Sequence, residues 1–338
     1  MTDTDLLLVT LYARHGCKLC EEVKRNLESL QNKFPHRLVE VDIESDEALK
    51  QTFALEIPVV DVGPYKLKAP ISKQSLEMTL GAASDRRSQL QQARGDAYME
   101  RVRKGQTVSK SDKAYYWVSK HYLAILNLIM FIYVGLPFLA PALMKLNADI
   151  PARIIYTIYS PLCHQFGFRS FFLFGEQPYY PLKEAGLTGI KTFDVITGYQ
   201  DLANPYSVSR LSARQYIGDA TVGYKVALCE RDVAIYGAIV LFGLIYGLTK
   251  RKLPPLHWAL WILIGLGPIG LDGFSQLFSQ LNWPWLVSIL PYRESTPFLR
   301  VFTGALFGFM TAWFAYPNIE ESMQETRKFF VKKFAIAK

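Results

Sequence analysis

Cysteine is scarce in this chain: 338 residues hold four, too few for the disulfide framework of a secreted scaffold of this size. The N-terminus lacks a basic leader, and its apolar run, Leu6 to Val9, is short. The opening therefore reads as a first strand and not as a signal peptide, and the domain it begins is expected to fold in the cytoplasm. Charge is scarce too, at 20 % of residues, but it is unevenly spread. Mean hydropathy is only +0.09 because a mixed, charged first third is averaged with long charge-free runs. A net charge of +8 permits a nucleic-acid partner, yet the basic residues sit beside apolar runs. Membrane topology takes precedence, and no nucleic acid is expected. No quinone, haem or flavin motif is present.

Residues 1–82 read as strand, helix, strand, helix, strand. Leu6 to Tyr12 is a buried strand that runs through Gly16 into Cys17-Lys18-Leu19-Cys20. A helix comes next, with Val23, Leu27 and Leu30 on one face and Glu21, Glu22, Lys24 and Arg25 outside. Leu38 to Ile43 alternates, Ser45 is expected to cap a second helix, and Ile57-Pro58 leads into a third strand. A thiolate at a helix N-terminus meets unpaired N–H groups and the positive end of the dipole, so Cys17 is expected to have a lowered pKa. Cys20, one turn on, can resolve a mixed disulfide formed on Cys17. A structural zinc half-site or an inert thiol pair is the bland alternative.

These residues, with Gly16-Cys17-Lys18-Leu19-Cys20 at their centre, resemble the glutaredoxin-like family of the thioredoxin fold over about 80 residues. The resemblance implies thiol–disulfide exchange with Cys17 as nucleophile, Cys20 as resolving thiol and Pro58 as the cis-proline that faces the dithiol, with no added cofactor. Glutathione-using members carry paired glycines after the proline strand. Here that place reads Gly63-Pro64-Tyr65-Lys66, so the resemblance does not carry glutathione over as the reductant.

Residues 83–120 form a basic juxtamembrane linker, helical or flexible, with nine Lys/Arg against four Asp/Glu between Ala82 and Lys120; a neighbouring anionic lipid surface is its expected partner. The charge-free run Tyr122 to Met144, then Val233 to Thr249, His257 to Phe278 and Phe298 to Tyr316, give four candidate spans within an α-helical membrane domain, residues 121–317. Ala152 to Gly175, with Arg153, His164 and Arg169, reads as interfacial or packed inside. Four spans place the linker, Lys250-Arg251-Lys252 and the basic tail on one, cytoplasmic, side. The expectation is a multi-pass inner-membrane protein with both termini cytoplasmic, a large outer loop at 146–232 and a smaller one from Ser279 to Pro297. Gly243…Gly247 and Gly304…Gly308 have the spacing of close helix packing. Residues 318–338 read as a basic amphipathic tail on the inner leaflet.

The membrane half is not uniformly apolar. It holds Cys163-His164-Gln165…Arg169-Ser170-Phe171, then Cys229-Glu230-Arg231-Asp232, Asp272-Gly273…Gln276 and Arg293-Glu294-Ser295-Thr296…Arg300. Ionisable groups at membrane depth face a partner, an ion path or a cavity. Cys163, His164, Cys229 and Asp232 supply the ligand types and number of a tetrahedral zinc or other transition-metal site. Cys163 and Cys229 could instead pair as a disulfide. A third reading is a salt-bridge network holding helix ends, formed by Asp272, Arg293, Glu294 and Arg300. Residues 150–316 resemble a family of small predicted membrane proteins of unknown function through these four motifs in order. Asp232 stands where many members carry a second cysteine, and Glu176 to Leu228 fills a place that is usually short. The resemblance implies no activity.

The expected fold class is multi-domain, an α/β thioredoxin-like domain followed by an α-helical transmembrane domain of about four spans. The leading function is a membrane-anchored thiol–disulfide oxidoreductase acting on a protein client. The alternative is a membrane metal- or small-solute-handling protein with the Cys/His/Asp site at its outer face and the dithiol as accessory. In the blandest case the N-terminal domain serves only for docking.

Overall fold

The computed structural model describes residues 6–281, 285, 289 and 291–338. Two compact units divide them: Met1–Tyr122 together with Glu321–Lys338, and Leu123–Glu320.

In the first unit β1 (Leu7–Ala13), α1 (Lys18–Leu30), β2 (His36–Asp42), α2 (Glu47–Phe53), β3 (Val59–Val62), β4 (Tyr65–Lys68) and α3 (Lys73–Gln106) follow one another. The sheet order is β2-β1-β3-β4, with β1 parallel to β2 and antiparallel to β3. This mixed sheet with its helices is a thioredoxin-like domain. Period-two alternation separates its faces. Val9 and Leu11 of β1 and Val60 and Val62 of β3 meet Val23, Leu27 and Leu30 of α1 and Leu76 and Leu80 of α3. Tyr12 and Val59 point the other way, onto Leu49 and Phe53 of α2. Asp46, not Ser45, caps α2, accepting from the Ala48 amide; Ser45 ends a short 3₁₀ turn in front of it. Residues 83–120 are helical except for a break at 107–109 and a kink at Gly95, continuing α3 and opening α4 (Lys110–Lys145).

The C-terminal segment departs from the expected lipid-surface tail. It is the last part of α10 (Pro297–Ile336), and Val331 and Ala335 pack against the Tyr12, Phe53 and Val59 cluster. Its basic side chains are taken up within the unit: Lys332 Nζ donates to Asp61 at 2.7 Å, Lys333 Nζ to Asp112 at 2.8 Å, and Arg327 to the Ser119 carbonyl at 2.8 Å. An amphipathic pattern shows that one face must be covered but not what covers it; here much of the cover is protein.

Among the described residues four helices are long and apolar enough to cross a membrane: α4, α8 (Glu230–Leu248), α9 (Trp258–Ser279) and α10. Gly304 and Gly308 let α10 lie against α8, for a Cβ at either would stand 2.8 Å from the Arg231 carbonyl oxygen or 2.1 Å from that of Ile235. The expected outer loop is a folded insertion. It contains α5 (Asp149–Tyr159), β5 (Ser170–Leu173), α6 (Phe193–Thr197), α7 (Val208–Gln215), β6 (Gly218–Asp219) and β7 (Gly223–Cys229). Its strands form a sheet of order β5-β7-β6, over a core that includes Phe168, Phe172, Tyr180 and Phe193. Ala152 to Gly175 is thus no span: it holds α5, a turn and β5. The smaller loop expected from Ser279 to Pro297 lies partly outside the described residues.

Candidate functional site

The dithiol stands where β1 ends and α1 begins. Cys17 is the N-cap of α1, and its Sγ accepts the Cys20 amide at 3.2 Å. The Cys17 carbonyl accepts from the Cys20 and Glu21 amides at 3.0 and 3.1 Å. Cys17 and Cys20 are joined as a disulfide. Their exposures differ: Cys17 is half-buried and Cys20 only 3 % exposed. Of the two, Cys17 is the more exposed to solvent, and its sulfur faces the backbone amide of Cys20. Pro58, buried at the start of β3, follows a cis peptide bond from Ile57.

The second cluster lies in the membrane half. Cys163 is set by its amide, which donates to the Tyr159 carbonyl at 3.0 Å in the turn that closes α5. Cys229 ends β7 and is the N-cap of α8. Asp232, three residues on, stands one helical turn from it on the same side. Cys163 Sγ, Cys229 Sγ and an Asp232 carboxylate oxygen all lie within 4.8 Å of one another. Both cysteines are free. The Cys229 thiol donates to Cys163 and so holds the Cys163 pKa below that of an ordinary thiol; the amides of Gln165 and Cys229 help, against the effect of burial. Donating that bond, with burial added, pushes Cys229 up.

His164, expected as a fourth ligand, is not in this group. It is exposed with its ring stacked on Phe166, 5.6 Å between centroids. It does line the same cavity, about 290 Å³ in volume, which Cys163, Cys229, Asp232, Arg169, Arg231 and Arg300 also border.

The remaining expected polar residues form a network with two acidic centres. Glu294 receives Arg169 in a two-pronged pair at 2.8 and 2.9 Å, Gln276 at 2.8 Å, and Arg300. These arginines outweigh burial and hold the Glu294 carboxyl below its ordinary value. Asp272 receives Arg231, Arg293 at 2.8 Å, and the Ser295 hydroxyl at 2.9 and 2.8 Å. Gln165 stands apart, donating to the Tyr156 and Ala227 carbonyls at 3.0 Å each.

The sequence reading gives no role to two further residues. Glu230, inside the Cys229–Asp232 motif and fully buried, lies 3.4 Å from Arg300. Lys225, 1 % exposed in mid-strand, donates to the Gln165 and Arg214 carbonyls at 2.7 Å each. Burial pushes its pKa down to about 7. The available signal was a lone lysine in the apolar run Val222 to Leu228.

Comparison with known sequences gives each half a relative. Residues 8–81 match the family described as "Glutaredoxin-like domain (DUF836)". Residues 220–314 match "Predicted membrane protein (DUF2085)", leaving residues 150–219, and Cys163 with them, outside the matched range. An uncharacterised protein of Methanocaldococcus jannaschii is 24 % identical over 220 residues, which is 62 % of this chain and 100 % of that one. No solved structure matches. The chain joins a glutaredoxin-like domain and the domain of a predicted membrane protein family in one polypeptide.

Proposed function

We propose that this protein is a membrane-anchored thiol–disulfide oxidoreductase whose dithiol reduces a disulfide in a protein client. The observation that carries this reading is the asymmetry of the pair, a half-buried Cys17 at a helix N-cap and a buried Cys20 one turn behind it. The Cys17 thiolate attacks one sulfur of the client disulfide and the other client sulfur leaves as a thiolate. The deprotonated Cys20 then attacks Cys17 in the mixed disulfide and frees the second client thiolate. Two electrons pass to the client, and Cys17 and Cys20 end as a disulfide. Tethering beside a membrane raises the effective concentration of the dithiol near membrane-bound clients.

The inner membrane, with both termini cytoplasmic, is the proposed location. Basic clusters before α4, between α8 and α9, and at the end of α10 support it. So does the make-up of the first unit, which combines Met1–Tyr122 with Glu321–Lys338. A unit of this kind stands on one side of a bilayer, so the chain between its two parts crosses an even number of times.

The test uses the full chain in detergent, an insulin disulfide as substrate and dithiothreitol as reductant. Cys17→Ser is expected to bring turnover to the uncatalysed rate with folding intact. Cys20→Ser is expected to accumulate a mixed disulfide on Cys17. Unchanged turnover in Cys17→Ser would end the proposal.

A further inference from the structure

The membrane half carries a site of its own. We propose that Cys163, Cys229 and Asp232 bind one Zn²⁺ ion through the two sulfurs and a carboxylate oxygen, at the wall of the cavity that His164 lines.

Geometry is the first support. The three donor atoms come from the turn closing α5 and from the β7–α8 junction, and lie within 4.8 Å of one another. Donors about 2.0–2.3 Å from a tetrahedral Zn²⁺ lie about 3.3–3.8 Å apart, which this group reaches by side-chain rotation. Strand pairing of Ser170 with Cys229 and the hydrogen bond from the Cys163 amide to the Tyr159 carbonyl fix the backbone at both cysteines, so the site is built before the ion arrives.

The donor set selects the metal. Two thiolates exclude the hard cations Mg²⁺ and Ca²⁺, and a carboxylate is a poor partner for Cu(I), whereas Zn²⁺ takes both. Two thiolates and a carboxylate on Zn²⁺ leave one net negative charge. Arg169, Arg231 and Arg300 border the cavity and favour that charge. Their own ion pairs go to Glu294, Asp272 and Glu230, and among the described residues Asp232 takes no part in that network. Binding releases the thiol protons to solvent and transfers no electron. The ion's fourth position faces the cavity, open to water or, after a side-chain rotation, to His164. Three protein ligands and an open position are the pattern of zinc sites that meet a solute, and not of closed structural ones.

A disulfide between the same two cysteines is the competing state, and it would leave Asp232 without a part. The test is metal analysis of the full chain in detergent after exposure to Zn²⁺ and gel filtration, with a parallel Co²⁺ substitution. The expected results are stoichiometric zinc, a near-ultraviolet thiolate-to-Co²⁺ band, and protection of Cys163 and Cys229 from alkylation until chelator is added. Cys163→Ser loses the metal. Asp232→Asn, at a half-buried position outside the ion pairs, weakens binding by at least the roughly tenfold to hundredfold that loss of an outer-shell partner costs. Cys17→Ser with Cys20→Ser keeps the zinc, which separates this site from the dithiol. Full zinc retention in Cys163→Ser would overturn the proposal. So would alkylation of both thiols indifferent to Zn²⁺, or their recovery as a disulfide that takes no metal. The alkylation result needs only the native chain, so it decides the matter even where a variant fails to fold.

Discussion

Lys225 shows how one buried charge shapes a pH profile. Its pKa falls to about 7 in the folded chain because burial disfavours the ammonium, while an exposed lysine titrates near 10.4. Below pH 7 the folded form carries the full cost of that buried charge. From there to about pH 10 the folded form gives up its proton and the unfolded form keeps it, so stability rises with pH through this group. Melting of the full chain in detergent should therefore show an upward stability component between about pH 7 and pH 10. Lys225→Met should flatten that component. Equal slopes in both proteins would show that Lys225 is not responsible. Glu294 poses the opposite case, a buried carboxylate serving both Arg169 and Arg300. Glu294→Gln removes the carboxylate that Arg169 and Arg300 share, leaving Arg300 only Glu230 as an ion-pair partner among the described residues, and should cost about 3–5 kcal/mol, read as a lowered unfolding midpoint with the dithiol still reactive.

At the scale of elements, the contact between α8 and α10 depends on two missing side chains. A Cβ on Gly308 would meet backbone, the Ile235 carbonyl, at 2.1 Å, and backbone cannot rotate away. Gly308→Ala should push the helices apart at a cost of about 1–3 kcal/mol. Gly237→Ala is the control on α8 itself, for a Cβ there meets nothing within 4 Å; thermal melts should separate the two variants. The end of α10 makes a second prediction. Val331 packs on the thioredoxin-like sheet, so Val331→Asp should destabilise the first unit by more than about 2 kcal/mol. Its readout is faster protease cleavage within residues 6–122. Cleavage at the native rate would show that this helix end contributes nothing to the domain.

For the whole molecule, the composition of the first unit constrains topology. Cys17 and a C-terminal fluorescent fusion should report the same side of the membrane when impermeant thiol reagents and protease are applied to oriented vesicles. Opposite sides would mean an odd number of crossings and would break the four-span reading.

Much of this was legible in the sequence, for reasons that differ by region. The dithiol and its helix depend on neighbours within one turn, so Cys17, Cys20, Val23 and Leu27 announce themselves through spacing. The four spans are equally local, because a bilayer demands an unbroken apolar run whatever the helix packs against. Three matters needed tertiary structure. The polar motifs lie between residues 163 and 300, and only folding brings Arg169 to Glu294, or Cys163 to Cys229 and Asp232, while turning His164 aside. The insertion between α4 and α8 builds a sheet in which β5 pairs with the distant β7, Ser170 opposite Cys229 and Leu173 opposite Tyr224. The end of α10 shows an amphipathic pattern that lipid or protein can satisfy equally well, and the chain's own sheet covers much of it. Local pattern determines that a surface needs cover or a charge needs a partner; which surface and which partner are set by contacts far apart in the sequence.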